Sequence, residues 1–283
     1  MYQTFFGFKD LPFRLLPDTR FFFESRGHAK AMAYLQYGLH KGEGLVVLTG
    51  DVGTGKTLLA DSLVEQIAGS QSVSSVAMPQ LEPENLLRVI GKGFGLGLAQ
   101  LDRSVFLTGL VEAIMDLGAK GRPPLVLIDE AQTLPLASLE VLRMMSNLRN
   151  GRVALLQVCL VGQPSLRALL ARPELEQLVQ RVVAMCHLHP LGAPETGEYI
   201  RHRLSAVGWH GDPKIEEEVV TLIHRESRGI ARRINTLMDR LLLHAYLEER
   251  HVLDRTLAEE MILDLREEGL GLAPPAALRE VDR

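Results

Sequence analysis

Eight consecutive residues, Gly50-Asp51-Val52-Gly53-Thr54-Gly55-Lys56-Thr57, carry the densest chemistry in the chain, with the spacing G-x-x-x-x-G-K-T. Glycines at that spacing let a backbone curl until several N–H groups face one point, which is what holding a phosphate requires. A helix starting directly afterwards adds the partial positive charge of its first turn. In such a loop Lys56 reaches the outer phosphates and the Thr57 hydroxyl ligates a magnesium ion. The predicted ligand is therefore the phosphate chain of a nucleotide with Mg2+, held by Gly50, Asp51, Val52, Gly53, Thr54, Gly55, Lys56, Thr57 and Leu58.

A second candidate is the pair Asp129-Glu130, which closes the run Pro124-Leu125-Val126-Leu127-Ile128. Two carboxylates at that point suit a magnesium nucleotide. Asp129 holds the metal through its water shell, while Glu130 orients and polarises the attacking water. Gln163 follows another apolar run, Ala154–Val161, and has two readings: a loop amide capping the next helix, or a group that senses the terminal phosphate or holds the water. His187 and His189 share one strand face, but no third ligand stands at metal spacing, so no zinc site is expected.

These residues need a scaffold, and the apolar pattern supplies one. Leu45–Thr49, Ser75–Met78, Pro124–Ile128, Ala154–Val161 and Val182–Leu188 read as strands, the central ones buried on both faces as in a parallel sheet. Ligands of such sheets collect at the carboxyl ends of the strands, where Gly50 and Asp129 fall. Helical patterns lie between them, with Leu59, Leu63 and Ile67 on one buried face. Gly91, Gly93, Gly95 and Gly97 miss the dinucleotide fingerprint and read as a flexible connection.

Past Leu191 the strand signals stop. Helical patterns over 195–207, 213–226, 230–247 and 256–266 predict a small all-helical second domain. The first forty residues hold Phe5, Phe6, Phe8, Phe13, Phe21, Phe22 and Phe23 among turn signals at Leu11-Pro12 and Pro17-Asp18. This strap reads either as core packing or as an apolar cover for a purine. The expected division is 1–43 for the strap and its helix, 44–191 for the ATPase core, 192–268 for the helical lid and 269–283 for a disordered tail.

Composition limits the function classes. The chain has 283 residues and a net charge of −4, which argues against a dedicated nucleic-acid binder. No apolar run approaches the ~20 residues of a spanning helix, and Met1-Tyr2-Gln3-Thr4-Phe5-Phe6 lacks the pattern of a signal peptide. A cytoplasmic setting is expected, in which Cys159 and Cys186 remain free thiols.

Taken together, these residues resemble the AAA+ ATPases of the secretion-A-component (ExeA-like) type, and within them the exosortase-associated ATPases of bacterial exopolysaccharide systems. The resemblance runs through Phe5-Phe6-Gly7, Phe21–His28, Tyr37-Gly38-Leu39, the phosphate loop, Asp129-Glu130-Ala131-Gln132, Leu160–Pro164, Gly208–Pro213 and Gly229–Asn235. It implies an α/β P-loop NTPase module with a five-stranded parallel sheet in the order 5-1-4-3-2 and a helical lid. In that order the strands of Cys159 and Cys186 flank the first strand.

The resemblance also implies that Gln163 is sensor 1 and that Arg232, in Gly-x-x-Arg, is sensor 2 on the phosphates of its own subunit. Arg181 would be an arginine finger offered to a neighbour's nucleotide. Arg172 competes for the finger and Arg233 for the sensor. The implied catalytic set is Lys56, Glu130, Gln163, Arg181 and Arg232, with Thr57 and Asp129 on the metal.

The expected function is an ATP-hydrolysing homo-oligomer supporting envelope secretion or exopolysaccharide export, recruited to the inner membrane face by a partner of that system. Longer members of the type continue into a membrane segment and a peptidoglycan-binding region, which this sequence is expected to lack. Two alternatives stay open: a DNA-binding regulator of the transposition-helper or initiator kind, for which Arg225, Arg228, Arg232, Arg233 and Arg240 speak, and a nucleotide-gated scaffold with little turnover.

Overall fold

The computed structural model describes residues 1–16, 18–77, 80–97, 103–151 and 153–268. The expected tail at 269–283, the strand end at Met78-Pro79 and Pro17 lie outside these residues. The chain forms two compact units, Glu24–His189 and a second unit combining Met1–Phe23 with the residues from Pro190 onward.

The first unit is built on five parallel strands: β1 (Leu45–Gly50), β2 (Ser72–Val76), β3 (Pro124–Ile128), β4 (Gln157–Gly162) and β5 (Val182–Leu188). They lie in the order β2-β3-β4-β1-β5, which read from the other edge is 5-1-4-3-2. The detail that the sequence did not anticipate is an extra antiparallel pairing, Arg149–Asn150 with Val153–Ala154, outside the sheet. It takes Ala154, which was expected to open β4. Likewise β2 begins at Ser72, three residues earlier than its apolar signal: on this edge strand Ser75 is exposed, and the buried Ser74 donates its hydroxyl to the Ile90 carbonyl at 3.1 Å.

Every residue of β1, β3 and β4 is buried, so the apolar runs are strands covered on both faces. The flanking helices are α2 (Arg26–His40), α3 (Lys56–Ile67), α4 (Pro83–Gly93), α5 (Arg103–Ala119) and α6 (Leu136–Met145), after the short N-terminal α1 (Tyr2–Phe5) of the other unit. A large core joins Leu45, Val47, Val126, Ile128, Val158 and Leu160 of the sheet to Leu86, Ile90, Ile114, Leu139 and Leu142 of α4, α5 and α6. Gly91 and Gly93 belong to α4 and not to a flexible connection. A Cβ on Gly93 would meet the Ser74 Oγ at 2.1 Å, so its absence lets α4 lie close on β2.

After β4 come α7 (Ser165–Leu170) and α8 (Glu176–Val179). A 3-10 turn at Pro173–Leu175 separates them, since the proline starts a new turn and cannot continue an old one. The register on the sheet pairs Val46 with Cys159 and Leu48 with Cys186, so the two thiols flank β1 and are free. Burial pushes the Cys159 thiol up to about 12 and that of Cys186 up to about 11.

The second unit contains α9 (Ala193–Ser205), α10 (Glu217–Ser227), α11 (Ala231–Leu247) and α12 (Arg255–Glu267). It is not wholly helical, because Lys214–Ile215 pairs in parallel with Val252–Leu253. In α11, Ile234, Leu237, Met238, Leu241, Leu242 and Ala245 are buried, as the i, i+3, i+4, i+7 spacing requires.

The aromatic strap joins this core. Tyr2, Phe6, Phe8, Phe13 and Phe21 are all buried within it, which favours core packing over a purine cover. Arg203 fixes the strap by donating from Nε to the Pro12 carbonyl at 2.6 Å and from Nη2 to the Arg14 carbonyl at 3.1 Å, with its guanidinium 4.4 Å from the Phe21 ring centre. Asn235 adds a donor to the Arg14 carbonyl while accepting from the Tyr199 hydroxyl at 2.7 Å. Residues 1–43, expected together, thus divide: Met1–Phe23 pack with the helices, and α2 packs on the sheet.

Candidate nucleotide site

The loop at 50–57 occupies the end of β1 and the start of α3, as its spacing predicts. Its shape is fixed from inside: the Asp51 carbonyl accepts from the Thr54 hydroxyl at 2.9 Å and from the Lys56 ammonium at 2.9 Å. Gly55 has φ +99, a left-handed conformation that side chains avoid, and it hands directly into the first turn of α3. That turn presents backbone N–H groups at a helix N-terminus, the arrangement that favours an anion. Lys56 is buried, whereas Asp51, Val52 and Thr57 are exposed and Gly53 and Leu58 half-buried.

One residue of this neighbourhood carried no role in the sequence reading. His28 is buried in the first turn of α2, with Nδ1 2.8 Å from the Ser25 Oγ. A Cβ on Gly55 would lie 3.0 Å from its Nε2, so His28 backs the loop directly. The available signal was local: Ser25 caps α2 by accepting from the His28 N–H, which fixes the ring's position.

Asp129 and Glu130 follow β3 immediately. The Thr57 hydroxyl donates to the Asp129 Oδ2 at 2.7 Å, joining two residues that are 72 positions apart. A hydroxyl and a carboxylate meeting where helix and strand end form a hard-oxygen pair that fits Mg2+, which takes most of its remaining ligands from phosphate and water. Among the described residues there is no group of three or more His, Cys, Asp or Glu suited to a metal, His187 and His189 included. His187 instead shares a 3.0 Å contact between Nδ1 and the Thr49 Oγ1. Its pKa is lowered, first by burial and then by His189 and nearby cations. Asp61, in α3, is held above the usual carboxylate range by burial and by the Asp129 charge.

Glu130 is half-buried with φ +51. Its Oε2 accepts from the Gln163 side chain at 3.1 Å and from the Gln132 side chain at 2.5 Å. The structure therefore brings together Lys56, Thr57, Asp129, Glu130 and Gln163 at the carboxyl ends of β1, β3 and β4. Gln163 makes no cap on α7; its carboxamide turns to the carboxylate.

The two candidate arginines are carried by other elements. Arg181 directly precedes β5, and its carbonyl accepts from the Leu45 N–H at 2.9 Å, so it sits where the strands begin. At about 3.3 Å per residue, the length of β1 separates it from the loop of the same chain by roughly 20 Å. Arg172 is exposed between α7 and the following turn.

Arg232 is exposed in the first turn of α11 and Arg233 beside it is half-buried, both in the helical unit and not in the sheet unit. The Gly229 carbonyl just before them accepts from the Leu191 N–H at 2.9 Å. Of the remaining arginines in this region, Arg225 pairs with Glu226 at 3.0 Å and Arg240 with Glu268 at 3.5 Å.

With this geometry in hand, residues 39–170 match the AAA domain family. The chain is also 38% identical over 276 residues to general secretion pathway protein A of Aeromonas hydrophila, covering 95% of this chain. The chain spans 50% of the length of that relative.

Among solved structures, Cdc6p of Pyrobaculum aerophilum superposes with a TM-score of 0.66 at 17% identity, over 92% of this chain and 71% of that one. The ORC2 protein of Aeropyrum pernix, in ADPNP and ADP complexes, gives 0.62 at 18% identity, over 84% and 66%. The RuvB branch migration motor of Thermotoga maritima gives 0.60 at 19%, over 89% and 74%. At such identities these structures speak for the P-loop AAA+ fold alone. No helix among the described residues is long and apolar enough to cross a membrane.

Proposed function

We propose that this chain is a secretion-type AAA+ ATPase that hydrolyses ATP at a site shared between copies of itself. The observation that carries the reading is the bond between Thr57 and Asp129 beside a Glu130 held by Gln163, all at the mouth of the Gly50–Thr57 loop. The loop N–H groups and Lys56 bind the phosphates, and Thr57 and Asp129 would hold the magnesium ion. That ion, when bound, supplies positive charge to the phosphate oxygens.

In the reaction Glu130 accepts a proton from the attacking water, whose oxygen bonds to the γ-phosphorus. The bond to the bridging oxygen breaks, and ADP leaves with that electron pair, its charge balanced by Lys56. Gln163 holds the water or the γ-phosphate.

The roughly 20 Å between Arg181 and its own loop supports a role on a neighbouring subunit's nucleotide. The similarity to the secretion pathway protein supports an envelope setting, and the exopolysaccharide-export setting draws on the sequence resemblance of the flanking segments. A protein partner fits better than duplex DNA, because Arg225 and Arg240 are matched by carboxylates and the net charge is −4.

Mixing Arg181→Ala protein with Lys56→Ala protein tests the shared site. Each alone lacks one half of every site, whereas mixed assemblies contain interfaces with both halves intact. Phosphate release recovered on mixing is the expected result; no recovery at any ratio would remove Arg181 from the trans role.

A further inference from the structure

We propose that Gln132 is a positioning residue for the Glu130 carboxylate, tying the base to the end of β4 through its carboxamide. The proposal rests on the ATPase reading above and adds a residue to it. Both ends of the amide are used: Nε2 donates to the Glu130 Oε2 at 2.5 Å, and Oε1 accepts from the Gln163 backbone N–H at 2.9 Å. The Gln163 side chain donates to the same Oε2 at 3.1 Å. Gln132 thus bridges the base and the backbone of the sensor, while the sensor's own amide returns to the base.

This closed arrangement has a chemical consequence. A carboxylate oxygen offers two lone pairs, and the two amide donors take both on Oε2. Oε1 then becomes the oxygen that receives a proton from water, so the amides decide which face of the carboxylate reacts. Only glutamine fits the bridge, because it needs a donor at one end and an acceptor at the other at this length.

The backbone makes room for it. A Cβ on Gly162 would lie 2.6 Å from the Gln132 Oε1 and 2.9 Å from the Leu166 Cδ2. The last residue of β4 is therefore a glycine where the Gln132 amide crosses. Glu130 itself, at φ +51, turns the chain between β3 and the 3-10 turn Ala131–Thr133, and the Thr133 hydroxyl pins that turn by donating to the Glu130 carbonyl at 2.7 Å.

Gln132→Glu separates this role from simple bracing of the loop. It keeps the acceptor for the Gln163 N–H but replaces the donor to Glu130 by a second carboxylate. The assay is phosphate release at pH 8 across ATP concentrations, with binding of a fluorescent ATP analogue measured separately. A misplaced base costs turnover but not affinity. The expected result is a kcat about 10- to 100-fold lower with KM and analogue affinity within about threefold, which is the cost of a roughly 1 Å misplacement.

Gln132→Met, which keeps the length without either polar end, and Gly162→Ala, which displaces the amide without altering it, should show the same kcat-only loss. They decide the matter if Gln132→Glu does not fold. A Gln132→Glu protein with wild-type kcat, or a loss carried wholly by KM, would overturn the role while leaving the ATPase reading intact. A wild-type protein that binds the analogue but releases no phosphate would overturn both.

Discussion

Gly229→Ala and Gly7→Ala form a matched pair that separates a backbone preference from a steric clash. Both glycines lie in the helical unit, with φ of +71 and +70. A Cβ at Gly7 meets nothing within 4 Å, so Gly7→Ala carries only the left-handed penalty of about 1–2 kcal/mol.

At Gly229 the new Cβ would lie 2.0 Å from the Leu191 carbonyl oxygen and 3.0 Å from its carbon. Ordinary contact begins near 3.4 Å, so that segment must retreat by more than an ångström, and Leu191 is a buried member of the helical core. The bond from the Leu191 N–H to the Gly229 carbonyl is strained at the same time. Overpacking costs about 1–3 kcal/mol and a lost hydrogen bond about 0.5–1.5 kcal/mol, on top of the same φ penalty.

Gly229→Ala should therefore destabilise by roughly 3–6 kcal/mol against about 1–2 for Gly7→Ala. At about 2–4 °C per kcal/mol, thermal melting followed by circular dichroism should place Gly229→Ala roughly 6–24 °C below wild type and Gly7→Ala about 2–8 °C below. Equal melting temperatures for the two variants would refute the clash. They would also remove the physical reason for a glycine three residues before Arg232.

Two further predictions concern titration and thiol chemistry. Burial makes His187 bind its proton less readily folded than unfolded, so stability is undiminished above the ordinary imidazole range and falls as pH drops through it. The melting temperature of wild type should decline more steeply from pH 6.5 to 5 than that of His187→Gln, and parallel declines would contradict this. Cys159 is fully buried with its thiol pushed up to about 12, so iodoacetamide at pH 8 should leave it unmodified in native protein while both cysteines react in guanidinium, as read by intact mass. Native alkylation at Cys159 would mean that β4 opens readily.

Much of the sheet was legible because its signals are local. Three short, mostly apolar runs bounded by turn residues read as strands covered on both faces, and their order follows from the family resemblance. Edges were harder to read. The serines of β2 and the extra hairpin at 149–154 carry no strong period, so their bounds depend on neighbours that the sequence does not display.

The strap's affiliation was hidden for a similar reason. Seven phenylalanines announce burial without saying against what, and the answer depends on Arg203, nearly two hundred residues away. Within the site, spacing gave Lys56, Thr57, Asp129 and Glu130 their places. Gln132 and His28 escaped notice because their roles depend on contacts with Gln163 and Gly55 that no sequence spacing encodes.

The claim on which the rest depends is that Glu130 acts on water at a site that binds ATP. Phosphate release by wild type and Glu130→Gln, measured beside equilibrium binding of a fluorescent ATP analogue, tests it most directly. General-base assistance contributes about 10²- to 10⁴-fold, so Glu130→Gln should bind the analogue as tightly as wild type while releasing phosphate at least about 100-fold more slowly. Unchanged turnover in Glu130→Gln would contradict the account and leave the protein a nucleotide-binding scaffold.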